Sequence, residues 1–216
     1  MEGSLSVNDE MHHSESLVRE RCLFRLYGLI GSGKTMLLRR THEVLNGRVP
    51  LALAVRPGKV SERDAHYLEG VGIKQRKILK ETPEEELAEV FWKTSHERGA
   101  VFTEEREIVF GPRLRYEREI RIWIQPVLTS DTMPEKYPDF YEGIDLVIIN
   151  QMDLLPFTDF SIERFRRSLK MAKPGVELLG VSCRSGVGLE IWRDWFLYRM
   201  GLPPLESNSF RNDSIS

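Results

Sequence analysis

The feature that most constrains this chain is the segment at residues 28–35, Gly-Leu-Ile-Gly-Ser-Gly-Lys-Thr, which fits the phosphate-binding pattern G-x-x-x-x-G-K-[ST]. Its glycines let the main chain curl until several N–H groups point into one hollow. Lys34 adds a full positive charge, and the hydroxyl of Thr35 suits Mg²⁺. We therefore predict a polyphosphate site with Lys34 and Thr35 as its catalytic residues and with these contacts: Gly28, Ile30, Gly31, Ser32, Gly33, Lys34, Thr35 and Met36.

The flanks of this loop predict an α/β fold. A mostly apolar run at 22–27 is typical of a strand, and the apolar positions after Thr35 predict a helix that ends near Asn46-Gly47. Strands then alternate with helices along the chain, which predicts a P-loop NTPase fold with a mostly parallel, twisted sheet and helices on both faces. The further strands are predicted at 49–55, 74–80, 107–110, 120–128, 145–149 and 176–181, and the further helices at 61–68, 82–98, 160–172 and 189–200.

Three other segments complete this assignment. Gly99 is predicted to end the helix at 82–98, residues 113–119 to form an exposed turn or ribbon, and residues 129–139 to form a loop. The polar segment 1–20 is predicted to be a flexible lead-in, 21–200 to form the P-loop domain, and 201–216 to be a flexible tail.

The composition excludes several classes of function. The net charge of −2 gives no electrostatic reason to expect a nucleic-acid partner. No apolar run approaches the roughly 20 residues of a membrane helix, and residues 1–20 lack the apolar core of a signal peptide. Cys22 and Cys183 are the only cysteines of the 216 residues, and both lie in segments predicted to be buried or beside a site, so a disulfide framework is not expected. We expect a cytoplasmic protein.

Two segments at strand ends predict which purine is bound. Asn150-Gln151-Met152-Asp153 follows the strand at 145–149 and is close to the base-reading motif Asn-Lys-x-Asp. Asp153 can accept two hydrogen bonds from guanine, which adenine does not offer, and Asn150 would brace the loop. Ser182-Cys183-Arg184 lies where such proteins place main-chain N–H groups against the guanine carbonyl. The alternative is that Asp153 caps a turn and Ser182 caps a helix.

These segments resemble a known family. Residues 146–157 and 182–189 are similar to the base-reading region of the nickel-incorporation GTPases that serve hydrogenase maturation, to which urease accessory GTPases are related. Lys136-Tyr137-Pro138 also matches that family. The resemblance implies a dimerising metallochaperone that uses GTP, GDP and Mg²⁺ and helps to place Ni²⁺ into a client metalloenzyme, alone or with another maturation protein.

The chain departs from the family at several positions. The family places an acid near Mg²⁺ where this chain has Val55–Lys59, and an adjacent Cys-His nickel pair where it has Lys80–Glu85. Only Glu107 and Gly111 could be remnants of the family's γ-phosphate sensor, and Gln151 replaces the usual lysine. Without an acid, Mg²⁺ would depend on Thr35, phosphate oxygens and water. No nickel ligands are identified.

Three functions follow from these observations. The first is a GTP-binding accessory protein of nickel insertion with slow GTP hydrolysis. The second is a nucleotide-binding adaptor or regulatory pseudo-GTPase that has lost metal transfer. The third is a small-molecule phosphotransferase, which would leave Asp153 and Ser182 without a purpose.

Overall fold

The computed structural model of the protein describes residues 21–55, 66, 68–70, 73–77, 99–105, 113 and 118–205. The strands in these ranges are β1 (Arg21–Tyr27), β2 (Leu51–Val55), β3 (Lys74–Lys77), β4 (Gly99–Glu104), β5 (Arg118–Pro126), β6 (Leu146–Asn150) and β7 (Glu177–Gly180). The α-helices are α1 (Lys34–Leu45), α2 (Met133–Lys136), α3 (Ile162–Ala172) and α4 (Leu189–Met200), with 3₁₀ turns at Pro138–Phe140 and Met152–Phe157.

All seven strands lie in one sheet in the order β3-β2-β4-β1-β5-β6-β7. Every pairing is parallel, and β1 lies between β4 and β5. After β1 the chain moves toward β2 on one side, whereas after β5 it moves toward β6 on the other. Loops that leave neighbouring strands in opposite directions open a crevice at the carboxyl ends of those strands, where open α/β sheets bind ligands. The predicted fold class is confirmed.

Alternation along the strands separates two buried faces. On the first face, α1 and α4 cover the sheet. Phe196 of α4 packs there against Phe24 and Phe102 of the strands, and the three rings lie 4.7–6.0 Å apart between centroids. On the second face, α3 packs through Phe165 over Trp123 and other apolar side chains. Successive strand residues point to opposite faces, so two buried faces require the nearly continuous apolar strands that the sequence contains.

Two local predictions are wrong. Gly99 begins β4 and does not end a helix; a Cβ at this position would lie 3.0 Å from the Pro50 carbonyl oxygen, so close strand packing and not a helix cap accounts for the glycine. Residues 118 and 119, predicted as exposed, belong to β5, and the Glu119 side chain is fully buried. Strand pairing with β1 overrides the local charge pattern there.

Other predictions differ less or fall elsewhere. Within the predicted loop at 129–139, Met133–Lys136 form a short helix. The predicted helix at 82–98 and the predicted strand at 107–110 lie outside the described residues. No helix within the described ranges is long and apolar enough to cross a membrane.

The contact between α1 and α4 contains a polar link. Trp192, on α4, is fully buried, and its indole N–H donates to the Thr41 hydroxyl of α1 over 2.8 Å. Thr41 in turn donates to the Leu37 carbonyl over 2.7 Å. Within the described part of the chain, the Thr41 hydroxyl is therefore the one hydrogen-bond acceptor of the buried Trp192 indole N–H.

We expect Thr41→Val to lower the free energy of unfolding by about 1–3 kcal/mol, because it leaves the buried indole N–H of Trp192 without an acceptor. Urea denaturation followed by tryptophan fluorescence measures the change. Met171→Ala is the control, since Met171 is 78% exposed and its loss should change stability by less than about 0.5 kcal/mol. Equal denaturation midpoints for Thr41→Val and the native chain would contradict the assignment.

Candidate functional site

The loop between β1 and α1 has a main chain that other residues could not adopt. Gly33 caps α1 with φ +98° in the left-handed region, and a Cβ there would lie 2.2 Å from Asn150 Nδ2. At Gly28 (φ +145°) a Cβ would lie 2.7 Å from the Ile124 carbonyl oxygen. Both glycines are therefore required by close approach as well as by conformation. The loop opens toward the amino end of α1, where N–H groups and the helix dipole favour an anion.

Lys34 is folded back on this loop. Its ammonium group donates to the carbonyl oxygens of Gly28 at 2.8 Å and Leu29 at 3.0 Å, and the residue is only 8% exposed. These two carbonyls hold the charge beside the mouth of the loop. A phosphate in the hollow would meet an ammonium group that is already positioned.

The hydroxyl of Thr35 donates to the Glu104 carboxylate over 2.7 Å. Glu104 is the last residue of β4, which pairs directly with β1, so its carboxylate lies at the same sheet edge as the loop. Glu104 is absent from the residues predicted from the sequence, because the family pattern places its acid near Val55–Lys59. The signal that could have found it is the acid that ends a short apolar run, Ala100-Val101-Phe102.

Asn150 joins the loop to the other half of the site. It ends β6, is 2% exposed, and its Nδ2 donates to the Ser32 carbonyl over 2.8 Å. Its Oδ1 accepts from the main-chain N–H of Cys183 at 3.2 Å. The side-chain amide of Asn150 therefore connects three segments: the loop at 28–35, which we call the phosphate-type loop, the end of β6 and the loop after β7.

Gln151 adds a second contact to the same loop. Its backbone is left-handed (φ +63°), and Nε2 donates to the Gly31 carbonyl at 3.3 Å. Its Oε1 is buried and has no hydrogen-bond partner among the described residues. An amide here supplies a donor as the lysine of the resembled motif would, but it brings no positive charge.

Asp153 and Ser182 lie in contact. The Ser182 hydroxyl donates to Asp153 Oδ1 over 2.6 Å and accepts from the N–H of Ser185 at 3.0 Å. A carboxylate oxygen can accept more than one hydrogen bond, so the pair at Ser182 leaves Asp153 acceptor capacity on both oxygens. The geometry is therefore compatible with a base-reading carboxylate at Asp153. The alternative of a helix cap at Ser182 is wrong, because Gly188 is the N-cap of α4 and the Ser182 hydroxyl accepts from Ser185 within a turn.

The remaining predicted site residues divide by exposure. Cys183 is 5% exposed, and burial raises the pKa of its thiol to about 12, so the thiol is neutral and its main-chain N–H carries its contact. Arg184 is exposed, as are Ile30 at 91% and Met36 at 40%. Any contribution of Ile30 and Met36 to phosphate binding would come from their main chain.

The residues fit a nucleoside polyphosphate with Mg²⁺. The loop has a curled main chain that depends on its glycines, and the Lys34 ammonium group is fixed by hydrogen bonds to it. The buried Ser32 hydroxyl has no hydrogen-bond partner in the described region. Thr35 and Glu104 offer two hard oxygen ligands of the type that Mg²⁺ prefers. For a softer metal, no group of three or more His, Cys, Asp or Glu side chains comes together within the described ranges. Residues 80–85 lie outside them.

Comparison with known proteins gives related sequences. No family model matches the chain. The hydrogenase maturation factor HypB of Azotobacter vinelandii is 30% identical over 180 residues, which cover 79% of this chain and 58% of that protein. The chain thus spans under two thirds of the length of that relative.

Two solved structures have the same fold. HypB from Archaeoglobus fulgidus superposes with a TM-score of 0.71 at 20% identity and covers 90% of this chain and 100% of the other. HypB from Helicobacter pylori in complex with nickel gives a TM-score of 0.70 at 18% identity, with coverages of 91% and 96%. By sequence and by fold, with the motif at 150–153 in addition, the chain is similar to the HypB hydrogenase maturation factors.

Proposed function

We propose that this protein binds GTP with Mg²⁺ and serves as an accessory factor in the maturation of a nickel metalloenzyme. The observation that carries the proposal is the pair of hydrogen bonds made by the Asn150 side chain. One goes to the phosphate-type loop and the other to the loop after β7, where Ser182 contacts Asp153. The loop proposed to hold polyphosphate and the carboxylate proposed to bind guanine are therefore connected by hydrogen bonds through Asn150. The HypB relatives support the role in maturation.

The residues would share the work as follows. Main-chain N–H groups at 31–35 would hold the β-phosphate, and Lys34 would neutralise the terminal phosphates. Thr35 and Glu104 would hold Mg²⁺, which supplies charge neutralisation of the phosphate oxygens. Asp153 would accept from the ring N–H and the exocyclic amine of guanine, while Ser182 holds its carboxylate in place.

Calorimetric titration with GTP, GDP and ATP, each with and without Mg²⁺, tests nucleotide binding. We expect GTP and GDP to bind more tightly than ATP by at least about tenfold, because adenine cannot offer two donors to Asp153. Equal affinities for GTP and ATP would contradict the guanine assignment, and no binding of any nucleotide would contradict the site itself.

We expect Lys34→Ala to weaken GTP binding by about 100-fold or more, because it removes the ammonium group held at the loop mouth. Calorimetry or fluorescent-nucleotide titration measures the loss. Lys170→Ala, on the outer surface of α3, is the matched control and should bind like the native chain. Unchanged affinity in Lys34→Ala would refute the assignment.

We expect Asp153→Asn to weaken GTP by roughly 30- to 100-fold and ATP by less than about threefold, because only guanine donates twice to the carboxylate. Inosine triphosphate, which lacks the exocyclic amine, isolates one of the two bonds: it should bind the native chain more weakly than GTP does. If Asp153→Asn changed GTP and ATP equally, the residue would be a structural brace alone.

The nickel role is the part of the proposal that rests on the relatives. One of them, the Helicobacter pylori protein, is described as a complex with nickel. Nickel titration of the full chain, with GTP and with GDP, tests whether this chain carries a metal. A stoichiometric, nucleotide-dependent site would support transfer to a client metalloenzyme, and the mass of the loaded protein would tell whether a second copy takes part.

A nucleotide-binding adaptor without metal transfer is the second candidate. It is favoured by the sequence at 80–85, Lys-Glu-Thr-Pro-Glu-Glu, which has neither Cys nor His. Carboxylates alone are weak ligands for Ni²⁺ compared with thiolate or imidazole. Tight GTP binding with no measurable turnover and no nickel binding would establish this function instead.

We expect Gln151→Lys to tighten GTP binding by about three- to tenfold, because a lysine can keep the donor to the Gly31 carbonyl and add a positive charge beside the phosphates. The gain should shrink in 0.5 M salt as screening increases. Gln151→Met is the control for side-chain volume. An affinity in Gln151→Lys at or below that of Gln151→Met would show that charge at this position has no effect.

A further inference from the structure

The second face of the sheet contains a buried group of charges that the proposed site does not use. We call it the ion network: Arg25 on β1, Glu105 directly after β4, and Glu119 and Arg121 on β5. The side chains of Arg25, Glu119 and Arg121 are 3%, 0% and 4% exposed, and that of Glu105 is 13% exposed. Two positive and two negative charges cancel formally.

The contacts of the ion network run across three neighbouring strands. Arg25 Nη1 donates to Glu105 Oε1 over 3.4 Å, and Arg25 Nε lies 3.4 Å from Glu119 Oε1. Arg121 Nε donates to the same Glu119 oxygen over 2.5 Å. Buried ion pairs repay little of their desolvation cost, and apolar side chains of similar size would often be as stable. Stability alone is therefore a weak reason for charges at these positions.

The network is connected to the site through the end of β4. Glu104 and Glu105 are consecutive, so their side chains point to opposite faces of the sheet. Glu104 faces Thr35, and Glu105 faces Arg25. The main-chain N–H of Glu105 donates to the Leu26 carbonyl over 2.9 Å, which extends the pairing of β1 and β4 one residue past Glu104.

We propose that Arg25 and Glu105 are positioning residues for Glu104. On one face, the ion pair with Arg25 fixes the side chain of Glu105. The hydrogen bond from the Glu105 N–H to the Leu26 carbonyl fixes its main chain, and together they orient the Glu104 side chain toward Thr35 on the other face. The inference rests on the proposed function, because its consequence is the Mg²⁺ dependence of GTP binding. The pair acts through Glu104 and touches no ligand itself.

The test measures GTP affinity by calorimetry, with Mg²⁺ and with chelator, for the native chain and four variants. We call the gain in GTP affinity on adding Mg²⁺ the Mg²⁺ increment. Glu104→Gln measures how much of this increment depends on the Glu104 carboxylate. Glu105→Gln keeps size and shape and removes one charge of the pair. Asp145→Asn is the control: Asp145 forms an ion pair with Arg113 and accepts from the main-chain N–H of Arg121, but it has no contact with the pair of Arg25 and Glu105.

We expect Glu105→Gln to keep the GTP affinity of the native chain in chelator and to lose about tenfold of the gain in affinity that Mg²⁺ gives, and we expect the same of Glu104→Gln. Asp145→Asn should lower the melting temperature and keep the increment. Arg25→Lys keeps the buried positive charge but loses the planar guanidinium group. Its Mg²⁺ increment should lie between those of the native chain and Glu105→Gln. It also serves as the second variant if Glu105→Gln does not fold.

The outcomes separate this inference from the proposed function. A full Mg²⁺ increment in Glu105→Gln or in Arg25→Lys overturns the positioning role while GTP binding stands. A native chain that binds GTP equally with Mg²⁺ and chelator overturns it as well. A native chain that binds no GTP in either buffer overturns the proposed function, and the positioning role falls with it.

Discussion

The organisation of the site depends on the side-chain amide of Asn150. Its donor holds the Ser32 carbonyl, 118 residues earlier in the chain, and its acceptor holds the N–H of Cys183. Because the amide lies 2.2 Å from where a Cβ of residue 33 would be, the position of Asn150 requires a glycine at position 33. Three loops from three strands are thereby held at one edge of the sheet, which is the preorganisation that a tight ligand site needs.

The two faces of the sheet contribute differently to this edge. The first face carries an apolar core in which α4 packs against α1, the helix that begins at Lys34. The second face carries charges beneath the end of β4, beside the predominantly apolar cluster that α3 covers. Apolar packing fixes where an element lies, whereas hydrogen bonds and ion pairs fix the direction of particular side chains. The site uses both.

The chain shares the fold of the HypB structures but differs from the resembled motifs at several positions. The glycine loop, the acid at the end of β4 and Asp153 lie at the same edge of the sheet, at the carboxyl ends of the strands. The lysine of the base-reading motif has become Gln151, and the Cys-His pair is absent from residues 80–85 of the sequence. Function resides in such positions more than in the fold that carries them. Nucleotide binding and metal transfer are therefore separable questions for this protein.

The sequence alone determined the features that are local in the chain. The loop at 28–35, the apolar strand at 145–149 and the motif at 150–153 each lie within a dozen residues, and their patterns predict a parallel α/β fold with a nucleotide site at its edge. Only the tertiary structure decided that β4 runs from Gly99 beside β1, that Glu104 meets Thr35, and that Glu119 is buried with Arg25. In a parallel sheet, neighbouring strands come from distant parts of the chain, so a contact across 69 residues leaves no local pattern to read.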